Sequence, residues 1–123
     1  MLTKMGHKNF TLLSKLMDLH SASHKMHAQN IANVNTPNYR RGEFKFEKAL
    51  RNAMEGGTAS HYKSVRGWVD HPDNTPVRNN GNNVDIDMEM VSLQENASFY
   101  EIYTQIYQKR SNLVKAAIKM GGV

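Results

Sequence analysis

The sequence predicts a mainly α-helical protein in which two long terminal helices form an antiparallel coiled-coil hairpin, joined by a largely irregular middle segment with a possible short helix. Apolar residues recur at alternating steps of four and three near both ends of the 123-residue chain, the spacing of a coiled-coil seam. All three prolines fall between those ends. We therefore expect a single domain over residues 1–123, with a helix over 10–34, an irregular connection over 35–83 and a helix over 84–120.

The C-terminal helix has the most regular pattern. Asp87 is a good N-cap, no proline or glycine follows it before Met120, and Gly121 and Gly122 are expected to end the helix. A second apolar row lies beside the seam, so the helix should pack against more than one neighbour and contribute most of the buried surface. The seam residues are Met90, Leu93, Ala97, Tyr100, Tyr107, Val114 and Ile118, and the second row is Phe99, Ile102, Ile106, Leu113 and Ala117.

The N-terminal helix carries a more polar seam. Three histidines share one face at a spacing that can hold zinc, but no acidic residue falls among them, so we interpret them as a polar stripe and predict no metal site. Asparagine and threonine side chains compete for backbone hydrogen bonds and proline cannot continue a helix, so residues 33–37 should end it. The apolar seam positions are Leu13, Met17 and Ile31, and the histidines are His20, His24 and His27.

The middle segment has no repeat and no strong alternation of apolar and polar residues. Residues 43–54 could form a short helix, whereas residues 55–83 contain Pro72, Pro76 and several glycines, which favour loops or short strands. Trp68 and Val69 are expected to pin the segment against the helices.

Composition restricts the class of protein. Only 39% of the residues are hydrophobic, so we expect a thin core, and without an apolar run of membrane-spanning length we expect no membrane span. Lys15 and Asp18 interrupt the first apolar run, so no cleaved signal peptide is expected. The absence of cysteine excludes disulfides and thiolate chemistry, and no nucleophile and base can be paired. We predict no catalytic residue, cofactor or metal ligand, and hence no enzyme.

Charge is distributed unevenly along the predicted hairpin. Its open end would be basic and its closed end acidic, although the formal net charge is only +5. Opposite poles would favour head-to-tail stacking of subunits and disfavour head-to-head pairing. The basic residues are Lys4, Lys8, Lys15, Lys109, Arg110, Lys115 and Lys119, and the acidic ones are Asp85, Asp87, Glu89 and Glu95.

Two motifs resemble known sequences. The run from Asn30 to Tyr39 resembles the N-terminal signature of bacterial flagellar rod and hook proteins, and the run from Gly81 to Met90 resembles the segment that opens the C-terminal helix of FlgB-type basal-body rod proteins. Asn38 stands where proximal-rod proteins usually have glycine, and because asparagine tolerates left-handed backbone we expect the bend to be kept. The positions that carry the resemblance are Asn30, Ile31, Ala32, Asn33, Asn35, Thr36, Pro37 and Tyr39, followed by Gly81, Asn82, Asn83, Val84, Asp85 and Asp87.

The resemblance implies a structural subunit of the proximal rod of the flagellar basal body, which crosses the periplasm and transmits torque. It implies export by the flagellar type III apparatus without cleavage. The implied partners are copies of the chain, other rod proteins, the adaptor that joins rod to membrane ring, and the export gate. The asparagines of the first motif would then end the helix and contact neighbouring subunits.

An alternative function remains open at this point. A small basic coiled-coil protein could bind nucleic acid, with tyrosines stacking on bases and the basic N-terminus contacting phosphates. The tyrosines lie on the heptad rows, where core packing is the commoner role. We therefore place the rod subunit first and expect no nucleic acid among the partners.

Overall fold

The structure is a computed structural model that describes the backbone of residues 2–121 and the side chains of residues 6–121. Its elements follow in the order α1 (Leu2–Ala32), β1 (Glu43–Lys45), α2 (Glu47–Gly56), α3 (Ala59–Lys63), β2 (Trp68–Asp70) and α4 (Ile86–Met120). The prediction of a mainly helical chain with two long terminal helices is confirmed.

The two long helices pack against each other in opposite directions. The ring of Phe10 meets that of Tyr107 edge to face, with centroids 5.1 Å apart. Farther along α1, His20 Nδ1 lies 2.9 Å from the side-chain oxygen of Asn96. Contacts therefore move toward the start of α4 as α1 proceeds, which is the antiparallel hairpin that the sequence predicted.

Both helix starts differ from the predicted ones. Helix α1 begins at Leu2 and not near residue 10, because a helix continues until something stops it and residues 2–9 contain no proline. Helix α4 is capped by Asp85 and not by Asp87. The Asp85 carboxylate accepts a hydrogen bond from the Met88 amide at 3.2 Å, and Asp87 lies in the first turn, where a negative charge also favours the helix. Gly122, expected to help end α4, lies outside the described residues.

The middle segment contains a two-stranded sheet and two short helices within otherwise irregular chain. Strands β1 and β2 pair antiparallel, with Phe44 opposite Val69 and Lys45 opposite Trp68. The expected helix over residues 43–54 therefore begins later, at Glu47, because residues 43–45 are taken up by the strand. Trp68 and Val69 are each 50% exposed, so the expectation that they pin the segment was wrong.

The core forms between α1 and the middle segment. The expectation that the C-terminal helix contributes most of the burial was wrong, since Glu89 is the buried residue that α4 supplies among the described side chains. Helices α2 and α3 cover one flank of α1, whereas no described element covers the outer side of α4. The buried apolar cluster consists of Leu19, Phe46, Ala53, Tyr62 and Val65.

Candidate assembly site

The C-terminal end of α1 is closed by its own polar side chains. Asn33 Nδ2 donates to the Gln29 carbonyl oxygen at 2.8 Å, and Thr36 Oγ1 donates to Asn33 Oδ1 at 3.1 Å. Two residues further on, Asn38 has a φ of 60°, so the expected left-handed bend is present. These side-chain bonds offer the backbone an alternative to a further helical turn, and the helix ends where the motif predicted.

Asn30 holds the returning chain against α1. Its side chain is fully buried; Oδ1 accepts a bond from the Gly42 amide at 2.9 Å, and Nδ2 donates to the Gly42 carbonyl oxygen at 2.7 Å. The Tyr39 hydroxyl donates to the same Oδ1 at 2.9 Å. The expectation that Asn30 contacts a neighbouring subunit does not hold, because its side chain has no exposed surface and its partners lie in its own chain.

The second motif caps the end of the first helix. Asn82 is also fully buried, and its Nδ2 donates to the carbonyl oxygens of Asn33 at 2.8 Å and Thr36 at 2.9 Å. Its Oδ1 accepts a bond from the Val84 amide at 2.8 Å. Carbonyl groups beyond the last helical turn need partners outside the helix. The two motifs, separated by the whole middle segment, therefore complete each other's hydrogen bonds.

Arg78 and Asn83 extend this contact on either side. The Arg78 guanidinium donates to the carbonyl oxygens of Val34 and Val84, which places a positive charge at the C-terminal end of α1, where the helix dipole favours one. Asn83 Oδ1 accepts a bond from the Arg41 amide at 2.7 Å. We call this contact between residues 30–42 and 78–89 the joint.

A buried ion cluster lies at the centre of the joint. Glu89 Oε1 accepts from Arg41 Nε at 2.6 Å, and Oε2 accepts from His27 Nδ1–H at 2.5 Å; the residues are 0%, 2% and 6% exposed in that order. Burial raises the pKa of Glu89, but hydrogen bonds from His27, Arg41 and Asn30 outweigh it and hold the pKa below its ordinary value. The ionised carboxylate thus ties α4 to α1 and to the chain that follows α1.

The described residues offer neither a metal-binding cluster nor a membrane-spanning helix. Within the part of the chain that the structure describes, no group of three or more acidic or histidine side chains is placed to hold a metal ion. None of the described helices has the length and apolar character needed to cross a membrane.

Comparison with known proteins identifies the family. No family model matches the chain. It is 33% identical over 126 residues to the flagellar basal body rod protein FlgB of Borrelia hermsii, which covers 88% of this chain and 93% of that protein. The chain belongs to the FlgB family of flagellar basal body rod proteins.

Two further FlgB proteins agree with this assignment. The protein of Borreliella burgdorferi is 30% identical over 81% of this chain and 90% of its own length. The protein of Bacillus subtilis is 30% identical over 79% of this chain and 82% of its own length. The resemblance noted in the sequence is thereby confirmed, and a FlgB-type chain is a structural component of the flagellar rod.

The predicted seam of this FlgB-family chain is only partly closed by the hairpin. On α1, Leu13 is buried and Met17 and Ile31 are half-buried, and on α4 Leu93 is half-buried. The remaining α4 positions are exposed, although Tyr107 still contacts Phe10. Those exposed positions are Met90, Ala97, Tyr100, Tyr107, Val114 and Ile118.

The three histidines are packed polar residues. His20 Nδ1 donates to Asn96, His24 Nδ1 lies 3.3 Å from the carbonyl oxygen of Leu93, and His27 bonds Glu89. Helix α4 therefore supplies an acidic partner to His27, whereas residues 20–27 contain none. His27 is buried and His20 and His24 are half-buried, so the polar stripe lies in the contact between the two long helices.

Sequence reasoning missed three charged members of the joint. Arg41 and Arg78 were not singled out, and Glu89 was assigned to the exposed acidic pole of the hairpin. The sequence offered one indirect indication that Glu89 is buried. Glu89 comes four residues after the cap Asp85, so it lies about one helical turn into α4. Its burial beside Arg41 removes it from any exposed acidic pole.

The depressed pKa of Glu89 makes the stability of this protein depend on pH. Because the folded-state pKa lies below the unfolded one, the contribution of Glu89 is fully present above the unfolded value, about 4.3. It should be lost as pH falls through the folded pKa. Urea unfolding from pH 7 to pH 3 should show a decline below about pH 4.5 that is smaller in Glu89→Gln. Equal declines in both proteins would contradict the assignment.

Proposed function

We propose that this chain is a subunit of the proximal rod of the flagellar basal body and polymerises with other rod proteins through α1 and α4 to transmit torque. It acts as a single axial-protein domain over residues 1–123. It reaches the periplasm through the flagellar type III apparatus without a cleaved signal peptide. Its proposed neighbours are copies of itself, other rod proteins, the rod-to-membrane-ring adaptor and the export gate.

The observation that carries this proposal is the exposed apolar surface of α4. A helix that stayed alone at the surface of a soluble domain would show polar residues on its outer side, and contiguous exposed apolar residues mark a contact with a partner. The exposed apolar residues of α4 include Met90, Val91, Phe99, Tyr100, Ile102, Ile106, Tyr107, Leu113, Val114, Ile118 and Met120.

The joint and α4 have complementary roles in this proposal. In the joint, and across the described residues generally, every buried side-chain nitrogen and oxygen has a hydrogen-bond partner, so this region is complete within one chain. The apolar surface of α4 is incomplete and becomes buried on assembly. The motif residues from Asn30 to Tyr39 and from Gly81 to Asp87 therefore fix the geometry of the hairpin, and α4 makes the contacts between subunits.

Torque transmission and export of an unfolded chain require opposite properties of the protein. Torque requires long helices that bury apolar surface against several neighbours, and open-ended polymers use heterologous contacts that do not close into a dimer. Export requires a chain that stays unfolded until it arrives. A small core with burial completed by assembly meets both demands, because binding of neighbours then stabilises the folded state.

A structural role is favoured over the two alternatives. The nucleic-acid alternative needs free tyrosine rings, but Tyr107 packs against Phe10 and Tyr103 lies 5.5 Å from the ring of His20. An enzyme needs a nucleophile or base directed into a cleft, whereas the buried carboxylate of Glu89 is neutralised by Arg41. We therefore propose that the protein has no catalytic activity.

Substitution of an exposed apolar residue of α4 tests the proposed function. Leu113 is 70% exposed, so Leu113→Asp should leave the thermal unfolding of the isolated chain nearly unchanged. In cells that lack the wild-type gene, it should abolish swimming and rod assembly, because a charge would be buried at a subunit contact. Gln108→Asp, on the exposed polar side of the same helix, is the matched control and should restore swimming. Normal swimming with Leu113→Asp would contradict the proposal.

A further inference from the structure

A cleft lies between the first half of α4 and the middle segment, with α1 as its third side. Its volume is about 310 Å³, at the lower end of the range of ligand pockets, about 300–1,000 Å³. It combines three phenylalanine rings with two exposed carboxylates. We call it the cleft; the middle segment lines it with Phe44, Phe46 and Glu47, and α4 lines it with Ser92, Glu95 and Phe99.

The cleft has an excess of negative charge. Arg41 also lines it, but its guanidinium is buried and already pairs with Glu89 and Glu43. Glu47 and Glu95 are exposed, and neither forms an ion pair with another described residue. The cleft therefore offers two carboxylates that lack a counter-charge within the described part of the chain.

The aromatic side of the cleft is also partly open. The rings of Phe46 and Phe99 both lie against the ring of His20, with centroids 5.3 Å and 5.1 Å from it. Phe99 nevertheless stays 37% exposed, and Glu95 lies one helical turn before it. A ring and a carboxylate are thus presented side by side.

A lysine or arginine side chain has the chemistry that this cleft can bind. Its aliphatic stem packs on apolar surface, and its cationic head group is attracted to the faces of aromatic rings and to carboxylates. The attraction to rings grows where water is partly excluded. The cleft therefore favours a basic segment over a neutral or acidic one.

The end of α4 is a basic segment of this kind. Every described residue from 112 to 121 is exposed, and residues 102–120 contain no aspartate or glutamate. Lys115 and Lys119 are four positions apart, so they share one side of the helix, and Asn112 comes three positions before Lys115 on that side. We call residues 112–120 the tail.

The tail and the cleft cannot meet within one copy of the chain. Ser92 and Asn112 are 20 positions apart on the same continuous helix, which corresponds to about 30 Å. The two lysines also lie about 120–180° around the helix axis from Ser92 and Glu95, at about 100° per residue. Complementary surfaces on opposite sides of one helix produce a head-to-tail contact that repeats without closing.

We propose that the tail of one copy of this chain docks in the cleft of the next copy, with Lys115 beside Glu95 and Lys119 beside Phe99 and Glu47. The occupant of the cleft is thus a second copy of the chain. The inference rests on the proposed rod function, because a rod requires an open-ended contact between subunits. The contact uses the side of α4 away from Leu113, so the exposed apolar residues beside Leu113 stay available to other neighbours.

Charge reversal with compensation tests the docking. The tail variant carries Lys115→Glu and Lys119→Glu, and the cleft variant carries Glu47→Lys and Glu95→Lys. Each alone should weaken self-association in sedimentation velocity at low salt by about tenfold or more, because like charges then face each other. An equimolar mixture should recover association, since each variant then meets its complement. Undiminished association in either variant, or no recovery in the mixture, would overturn the proposal.

A matched control separates docking from a general effect of charge. Lys119→Glu and Arg110→Glu change the net charge equally, but Arg110 lies about 180° around the helix axis from Lys119. Lys119→Glu should weaken self-association, and Arg110→Glu should leave it nearly unchanged. Circular dichroism should show wild-type helix content in both variants. Equal losses in both would mean that net charge alone is responsible, and the docking would be wrong.

Engineered cysteines test the head-to-tail direction. Ser92→Cys lies in the cleft and Asn112→Cys in the tail, and each precedes its proposed contact residue, Glu95 or Lys115, by three positions. The chain has no native cysteine, and the two thiols of one copy are too far apart to bond to each other. Oxidation should give a ladder of oligomers on a non-reducing gel. A single dimer band, as expected from a closed antiparallel pair, or monomer alone would overturn the proposal.

A second cysteine pair is the control for direction. Ser92→Cys with Leu113→Cys moves the tail thiol by one position, about 100° around the helix, and should give little cross-linking. A ladder as strong as that of Ser92→Cys with Asn112→Cys would contradict the docking.

Failure of the docking can be distinguished from failure of the rod function. If the tail variant self-associates as the wild type does and restores swimming, while Leu113→Asp abolishes swimming, the rod function stands and the docking fails. If Leu113→Asp restores swimming, the proposed function itself fails. Gln108→Asp lies seven positions before Lys115, about 10 Å outside the contact, and should preserve both self-association and swimming.

Discussion

Replacing Glu89 with glutamine should lower the free energy of unfolding by about 3 kcal/mol, because the buried guanidinium of Arg41 loses the nearer of its two carboxylates and keeps only the half-buried Glu43, at 3.3 Å. Arg41 is 2% exposed and bonds Glu89 at 2.6 Å, so it has no route to water in the folded state. Glutamate and glutamine are nearly equal in size, so little of the lost free energy of unfolding should come from a cavity. Urea unfolding at pH 7, followed by circular dichroism, measures the loss directly.

The control for Glu89 lies on the same helix. Glu101 is exposed, and Glu101→Gln should change the free energy of unfolding by less than about 0.5 kcal/mol. A loss in Glu89→Gln no larger than that in Glu101→Gln would show that the ion cluster does not hold the two helices together.

Removing the Asn30 amide should cost on the order of 3 kcal/mol, since Asn30→Ala leaves the Gly42 amide, the Gly42 carbonyl and the Tyr39 hydroxyl without their partner. The measurement is again unfolding of the isolated, monomeric chain. Asn35→Ala is the matched control, because Asn35 belongs to the same motif but is exposed, and it should be nearly neutral.

This comparison separates two roles for the motif. If Asn30 acts within its own chain, the isolated protein loses stability before any assembly takes place. If the amide instead reached a neighbouring subunit, the isolated protein would unfold as the wild type does and the loss would be confined to assembly. The second result would contradict the geometry of the joint.

The long helices could be predicted from the sequence because their signals are local. Apolar residues spaced alternately by three and four positions indicate a helix directly. The asparagine-threonine-proline run ends α1 through hydrogen bonds between residues that are close in the sequence. The middle segment could not be predicted in the same way. Its two-stranded sheet depends on the pairing of Phe44 with Val69, which lie 25 positions apart in the sequence. Strands of three residues show too little alternation of apolar and polar residues to predict that pairing.

The sequence indicated which residues form the joint but not which hydrogen bonds they make. Both motifs were recognised, yet nothing in their spacing states that Asn82 bonds the carbonyl oxygens of Asn33 and Thr36. Glu89 was misplaced for a related reason. An acidic residue in the first turn of a helix has a sufficient local explanation in the helix dipole, and only packing against His27 and Arg41 distinguishes the buried carboxylate from its exposed neighbour Asp87.

The sequence pattern also could not predict which helix surfaces are buried within the chain. A clean heptad row predicts that a helix will be covered but not which molecule covers it. In α1 the covering elements belong to the same chain, whereas in the second half of α4 no described part of the chain covers Leu113 and Ile118, which are exposed. The apparent failure to predict the core is thus explained if α4 is covered by neighbouring rod subunits.

A cryo-electron microscopy map of the intact basal body, at a resolution that shows side chains, is the direct test of the proposed assembly through α4. We expect the map to show this chain in the proximal rod, with Asn30, Asn82 and Glu89 bonded within each chain and the exposed apolar residues of α4 covered by a neighbouring subunit. A rod in which this chain is absent, or in which those residues of α4 stay exposed to solvent, would contradict that assembly.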